Sequence, residues 1–144
     1  MEIKEHLTTK VAQYALIIRD KKMLILWPSE ATPLWVLPGG RINNNDSNAI
    51  ESLKREVREE ISAEIVVKKP FYAEIYSVPQ KGKRYAVFFI CELTGEVSGI
   101  KLSEEHKGYE WLNYNSLMKN LLSDSERGKP GMNLINKLKD EGLL

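Results

Sequence analysis

The chain is short of most features that would assign it to a special class. It has one cysteine, Cys91, among 144 residues, so an internal disulfide is excluded. The setting of Cys91 in FFIC reads as a small buried hydrophobe of a reducing compartment. No long apolar run exists: the longest, Tyr85 to Cys91, falls far short of the roughly 20 residues that span a bilayer. The amino-terminal MEIKEHLTTK is polar and lacks the apolar stretch of a secretory signal, so the expectation is a cytoplasmic protein. Net charge is nearly absent too, with 21 basic against 20 acidic residues. Without a large field of one sign, neither nucleic acid nor an anionic membrane is an expected partner. Glycine (9) and proline (6) stay at globular levels, and no repeat or biased segment is found. At about 150 residues per domain, residues 1–144 are expected to form one domain, large enough for a core without disulfide or metal staples.

What is present is an alternation of periods. Lys10 to Arg19 and Met23 to Trp27 read as a strand pair around the polar turn Asp20-Lys21-Lys22. A loop bracketed by Pro28 and Pro33 leads to a short strand, Leu34 to Leu37, stopped by Pro38-Gly39-Gly40, and a polar loop runs from Arg41 to Asp46. Ile50, Leu53, Val57 and Ile61 then recur at steps of three and four, which predicts a helix capped by Asp46 or Ser47. Strands are expected again over Ala63 to Val67, Phe71 to Val78 and Arg84 to Leu93, the last two joined at Gln80-Lys81-Gly82. Tyr109 to Leu112 is a short strand, Asn115 is expected to cap a helix through Leu122, and a last helix opens at Gly131-Met132 with Leu134, Ile135 and Leu138 on one side. This order fits an α/β (α+β) chain with one mixed sheet and helices against it.

Chemistry is concentrated between Leu37 and Ile61. Glu56, Glu59 and Glu60, spaced three and four apart, project from one helix face beside the apolar stripe. Like charges at such spacing destabilise a helix by roughly 0.2–0.5 kcal/mol per pair, a sign that a hard divalent cation reverses. The same Glu/Arg-rich pattern also describes a solvated surface helix with Glu51–Arg55 and Arg55–Glu59 pairs. The preceding Pro38-Gly39-Gly40 shifts the balance, because glycines permit close backbone approach and a carbonyl there could face the helix.

Together these segments resemble the Nudix hydrolase family, whose box reads G-x5-E-x7-R-E-U-x-E-E-x-G-U, with U bulky and aliphatic. Gly40 matches the opening glycine, and Arg55-Glu56-Val57-Arg58-Glu59-Glu60 matches the R-E-U-x-E-E core throughout. The lead-in is one residue longer than the pattern, Asp46 or Ser47 stands at its first acidic position, and Ser62 and Ala63 replace the late Gly and last aliphatic.

The resemblance implies an α-β-α sandwich with a mixed, curved sheet and Mg²⁺- or Mn²⁺-dependent cleavage of a pyrophosphate bond. Implied substrates are small nucleotides: a nucleoside triphosphate, dinucleoside polyphosphate, ADP-ribose or nucleotide sugar. Implied metal ligands are Glu56, Glu59 and Glu60 with the carbonyl of Gly39 or Gly40. Arg55 would orient the loop through Asp46, which would stand in for the missing Glu with a shorter reach. The base is a box glutamate such as Glu59, or Glu105 in the loop before the last strand, with Glu104 beside it; His106 reads as an exposed loop residue. Tyr14, Trp27, Trp35, Tyr76 and Phe88 lie on or near strands that could line a base-binding cleft or fill the core. Arg41 and Arg84, with Arg19 and Lys83, could meet phosphates or stay solvated. The resemblance also allows a homodimer. A non-catalytic nucleotide-binding sensor on the same fold is the alternative. Isomerase chemistry on a prenyl diphosphate would want a reactive cysteine, which the apolar setting of Cys91 does not offer.

Overall fold

The computed structural model describes residues 4–31, 35–78, 80–96, 99–121 and 131–144. Its elements run β1 (Val11–Arg19), β2 (Lys22–Pro28), β3 (Gly39–Arg41), α1 (Ala49–Ile61), β4 (Ile65–Val78), β5 (Gly82–Leu93), β6 (His106–Leu112), α2 (Tyr114–Leu121) and α3 (Met132–Asp140). The sheet order is β4-β5-β1-β2-β6, with β3 added along β1. Only β1 and β5 are parallel, so the sheet is mixed as expected.

β1 is the branch point. Its end, Ile18 and Arg19, pairs with β2 through a tight hairpin, while residues 12–14 pair with β3 on one side and with β5 on the other. The alternation of β1 divides the core between two faces. Ala15 and Ile17 join Leu24, Leu26, Phe89 and Cys91 against Leu53, Val57 and Ile61 of α1. Ala12 and Leu16 join Met23, Ile25 and Phe88 against Leu117 of α2 and Leu134, Ile135 and Leu138 of α3. Helices thus cover both faces of the sheet. Leu53, Val57 and Ile61 of the α1 stripe are fully buried and Ile50 partly so, which holds the helix by its apolar side and leaves the glutamate edge beside it.

Several local expectations change. The strand expected over residues 34–37 reduces to one bridge, Val36 to Leu26; Pro33 and Leu34 lie outside the described residues, as does Leu122 of the expected second helix. Gly39–Arg41 is a strand rather than its terminator. The two strands expected on either side of Lys68-Lys69-Pro70 are one long β4, kept in register with β5 by irregularities at Val67/Lys69 and Pro70/Tyr72. β4 lies at the sheet edge, where proline is tolerated. The cap of α1 is Asn48, whose Oδ1 accepts from Glu51 N–H at 3.0 Å, not Asp46 or Ser47. Cys91 is buried, and burial pushes its thiol up to about 12.

Candidate active site

The site forms where β3 and the segment leading into β6 meet the glutamate edge of α1. β3 enters first. Gly39 has φ +139°, and a side chain there would begin 2.3 Å from the carbonyl oxygen of Gln13, so only glycine lets β3 lie this close to β1. The Gly39 N–H donates to Glu60 Oε2 at 2.9 Å. At Gly40 a side chain would begin 3.1 Å from Glu56 Oε2. Both glycines therefore lie directly under box carboxylates.

The lead into β6 comes from the other side. The last carbonyls of a helix have no partner inside it. Here Ser103 N–H donates to Glu60 O at 2.9 Å and Lys101 N–H to Ile61 O at 3.0 Å, so the loop is stitched to the end of α1. Ser29 fixes the next residues, its N–H donating to Glu105 O at 2.8 Å and its hydroxyl to Glu104 O at 2.7 Å. The pairing of β2 with β6 shifts between Trp27 and Pro28, so that Pro28 faces His106. Such irregularities re-aim side chains at strand ends.

As a result Glu60, Glu105 and His106 offer donor atoms all within 4.8 Å of one another. His106 Nε2 lies 3.8 Å from Glu60 Oε1, and the two side chains are only 7% and 12% exposed. Burial raises the Glu60 pKa above the ordinary carboxylate value, opposed by His106 and the Gly39 amide. Both ring nitrogens of His106 and the Ser103 hydroxyl are buried without a hydrogen-bond partner.

The opposite end of the box is fully paired. Asp46 Oδ2 accepts from Asn43 N–H at 2.8 Å and from the Ser52 hydroxyl at 3.0 Å. Arg55 reaches Asp46 Oδ1 at 2.5 Å and Glu56 Oε1 at 3.1 Å. The Arg55 guanidinium and the Asn43 amide hold the Asp46 carboxyl down to about 2. Asp46 thus meets Arg55 from the position where the family motif carries a longer acid. Ser62, in place of the motif glycine, adopts the left-handed conformation at φ 55° and donates its N–H to Arg58 O, so the helix stops as a glycine would stop it.

Other expected residues fall differently. Glu59 is 61% exposed and turns to Arg55 at 3.5 Å. Among the described residues, the three box glutamates do not form a group with converging donor atoms; Glu60 converges instead with Glu105 and His106. Trp35 is fully buried in the core under α2 and α3, so it is not a surface for a nucleotide. Phe88 is buried as well. Arg84 donates to the carbonyls of Lys81 and Lys83 at its own hairpin, and Arg19 to those of Leu93 and Gly95. Trp27 Nε1 donates to Glu110. Arg41 is exposed on β3, close enough to Tyr14 for its charge to act on the phenol. Tyr14 stacks at 5.5 Å on Phe88, which also meets Tyr72 at 6.2 Å, and Tyr14 contacts Tyr76. Tyr14, Tyr72 and Tyr76 are half-buried and pack against the core on the α2 and α3 face of the sheet.

Sequence reasoning missed Tyr72, which neighbours Phe71 in a strand whose register no local signal fixes, and it read His106, which carries no motif, as an exposed loop residue. The Glu105-His106 pair before an aromatic strand was the one available signal for the latter.

A NUDIX domain model matches residues 8–132. The chain belongs to the Nudix hydrolase family, as a pyrophosphohydrolase acting on nucleotide-linked substrates. The asymmetrical bis(5'-nucleosyl)-tetraphosphatase of Rattus norvegicus is 28% identical over 112 residues, which is 76% of this chain and 72% of that protein. Its Mus musculus counterpart is 28% identical over 94 residues, 63% of each chain. Among solved structures, a NUDIX hydrolase from Nitrosomonas europaea superposes with a TM-score of 0.77 at 15% identity, covering 93% of this chain and 90% of that one. A C. elegans Ap4A hydrolase binary complex gives 0.73 at 18% identity, covering 92% and 97%. These likenesses extend to the fold. No helix among the described residues is long and apolar enough to cross a membrane.

Proposed function

We propose that the chain hydrolyses a dinucleoside polyphosphate asymmetrically, in a reaction dependent on Mg²⁺ or Mn²⁺. The likeness to tetraphosphatases over three quarters of the chain carries the substrate class. The cation is supported by the donor set: Glu60 is an acid held in a largely buried place with one amide donor on it, and Glu56 lies over Gly40. Oxygen donors of this kind suit Mg²⁺ and Mn²⁺. Glu56, Glu60 and Glu105 would hold the cation, with Glu59 joining from the solvent side. When bound, it supplies charge neutralisation to the polyphosphate and acidity to the attacking water.

The protein residues do the rest. Glu105 is exposed at the edge of the site and takes one proton from the water that attacks phosphorus. The anhydride P–O bond breaks, and the leaving phosphate keeps its oxygen. Arg41 meets phosphate oxygens, and Tyr14, Tyr72 and Tyr76 take a base; stacking on aromatic side chains is worth about 1–3 kcal/mol per base. Arg55, locked to Asp46, holds the loop in front of α1 and orients Glu56.

The test is incubation with diadenosine tetraphosphate and Mg²⁺, with products separated by anion exchange. AMP and ATP should appear in equal amounts, and a chelator should stop the reaction. Nucleoside triphosphates, ADP-ribose and nucleotide sugars serve as competitors. Tight binding with no turnover of any of them would replace this reading with that of a nucleotide sensor.

A further inference from the structure

We propose that His106 is a nitrogen ligand in this site, making it favour first-row transition-metal dications over Mg²⁺. The inference deepens the proposed function, since it presumes that a cation binds beside Glu60. It rests on the placement of one side chain. His106 is 7% exposed, lies at the irregular start of β6, and has no hydrogen-bond partner for either ring nitrogen. Native structures seldom bury a polar group in that state without a use for it.

The ring is aimed at carboxylates rather than at the core. Its Nε2 is 3.8 Å from Glu60 Oε1, and Glu105 completes a set of three donors within 4.8 Å of one another. Ligand atoms about 2.0–2.2 Å from a common ion are separated by about 4.4 Å at most. The Glu60–His106 separation already falls inside that limit. At 3.8 Å the Glu60–His106 contact is a loose ion pair, too long for a direct hydrogen bond, which leaves room for an ion between the two groups.

Donor chemistry then sets the preference. Mg²⁺ takes oxygen in a strict octahedron and gives up water reluctantly. An imidazole added to carboxylates favours transition metals, whose affinities for nitrogen exceed that of Mg²⁺. Glu56 and Glu59 alone would make no such distinction. The exposed Glu105 leaves the set open on its solvent side, where an ion can enter.

Electron spin-echo envelope modulation on the full chain, stripped of metal and given less than one equivalent of Mn²⁺, reads the bond directly. Wild-type protein should show coupling to a directly bound ¹⁴N, replaced by a ¹⁵N pattern when histidine is isotopically labelled. The sequence has only two histidines, and the other, His6, is exposed outside the described secondary structure. His106→Gln should abolish the coupling and weaken Mn²⁺ binding more than it weakens Mg²⁺ binding. The labelling experiment needs no variant, so misfolding of His106→Gln leaves the test intact. Wild-type protein that takes up no Mn²⁺, or takes it up without nitrogen coupling, overturns the inference. Mg²⁺-dependent tetraphosphate cleavage without nitrogen coupling sinks this inference alone; nitrogen coupling without cleavage of any nucleotide sinks the proposed function alone.

Discussion

The two polar corners of α1 each set a carboxylate beside a basic side chain and a serine, and are finished differently. In the first, Asp46 accepts from Asn43, Ser52 and Arg55, and Arg55 reaches on to Glu56. In the second, Glu60 has the Gly39 amide, while the Ser103 hydroxyl and both His106 nitrogens beside it lack a hydrogen-bond partner. A satisfied network fixes a backbone; an unsatisfied buried one is tolerated where something else is to be bound. The first corner is a brace and the second is a receptor. Titration separates them too, because Asp46 is shifted down and Glu60 up.

The largest effect expected from this contrast is at Glu60. Glu60→Gln keeps an oxygen for the Gly39 amide and should lower turnover on the order of 10³-fold, the scale of losing one electrostatic stabiliser of a transition state. In chelator-treated protein the same change should raise the melting temperature at neutral pH. A carboxyl whose pKa is raised by folding contributes stability below its ordinary value of 4.5 and loses it as pH rises through the folded value. Activity and stability moving together would break the contrast. Next comes the buried side of the same helix: Leu53→Ala should cost about 2–5 kcal/mol in urea unfolding and leave kcat per folded molecule unaltered.

The brace should respond less in activity. Asp46→Asn leaves Arg55 without its charged partner, and about 10–100-fold in activity should follow, as for residues that orient ligands. Its pH signature has the opposite sign from that of Glu60. With a carboxyl held at about 2, the ionised form contributes stability above its ordinary value of 3.8 and loses it as pH falls from there toward 2. Acid unfolding of Asp46→Asn should therefore be flatter across that window, followed by circular dichroism.

The same contrast explains what was legible in the sequence. α1 and its brace were, because a 3.6-residue stripe and a motif both act over adjacent residues; even the Asp46–Arg55 pair could be anticipated. The cap was not, since Asp46, Ser47 and Asn48 are all good cappers and Asp46 is diverted to Arg55. The receptor corner depends on contacts across 40 and more residues, Glu60 with Ser103 and Pro28 with His106, which no local pattern encodes. Hence His106 read as an exposed loop residue, whereas it is almost wholly buried. Trp35 failed for the converse reason: an aromatic beside a glycine bend suits a nucleotide pocket and a core equally, and only packing chooses.

The smallest effect concerns how α1 ends between these corners. Ser62 holds φ 55° and ψ 34°, a conformation costing an L-residue roughly 1–2 kcal/mol that glycine avoids. Ser62→Gly returns part of that gain as extra freedom of the unfolded chain, about 0.5–1 kcal/mol. A net stabilisation of about 0.5 kcal/mol should remain, measured by urea unfolding. Because Ser62 already donates to Arg58 O in that conformation, the carbonyls of Glu60 and Ile61 stay available to Ser103 and Lys101, and turnover should not change. A change in turnover would mean that the serine itself, rather than its backbone angle, helps hold the β6 loop against the helix.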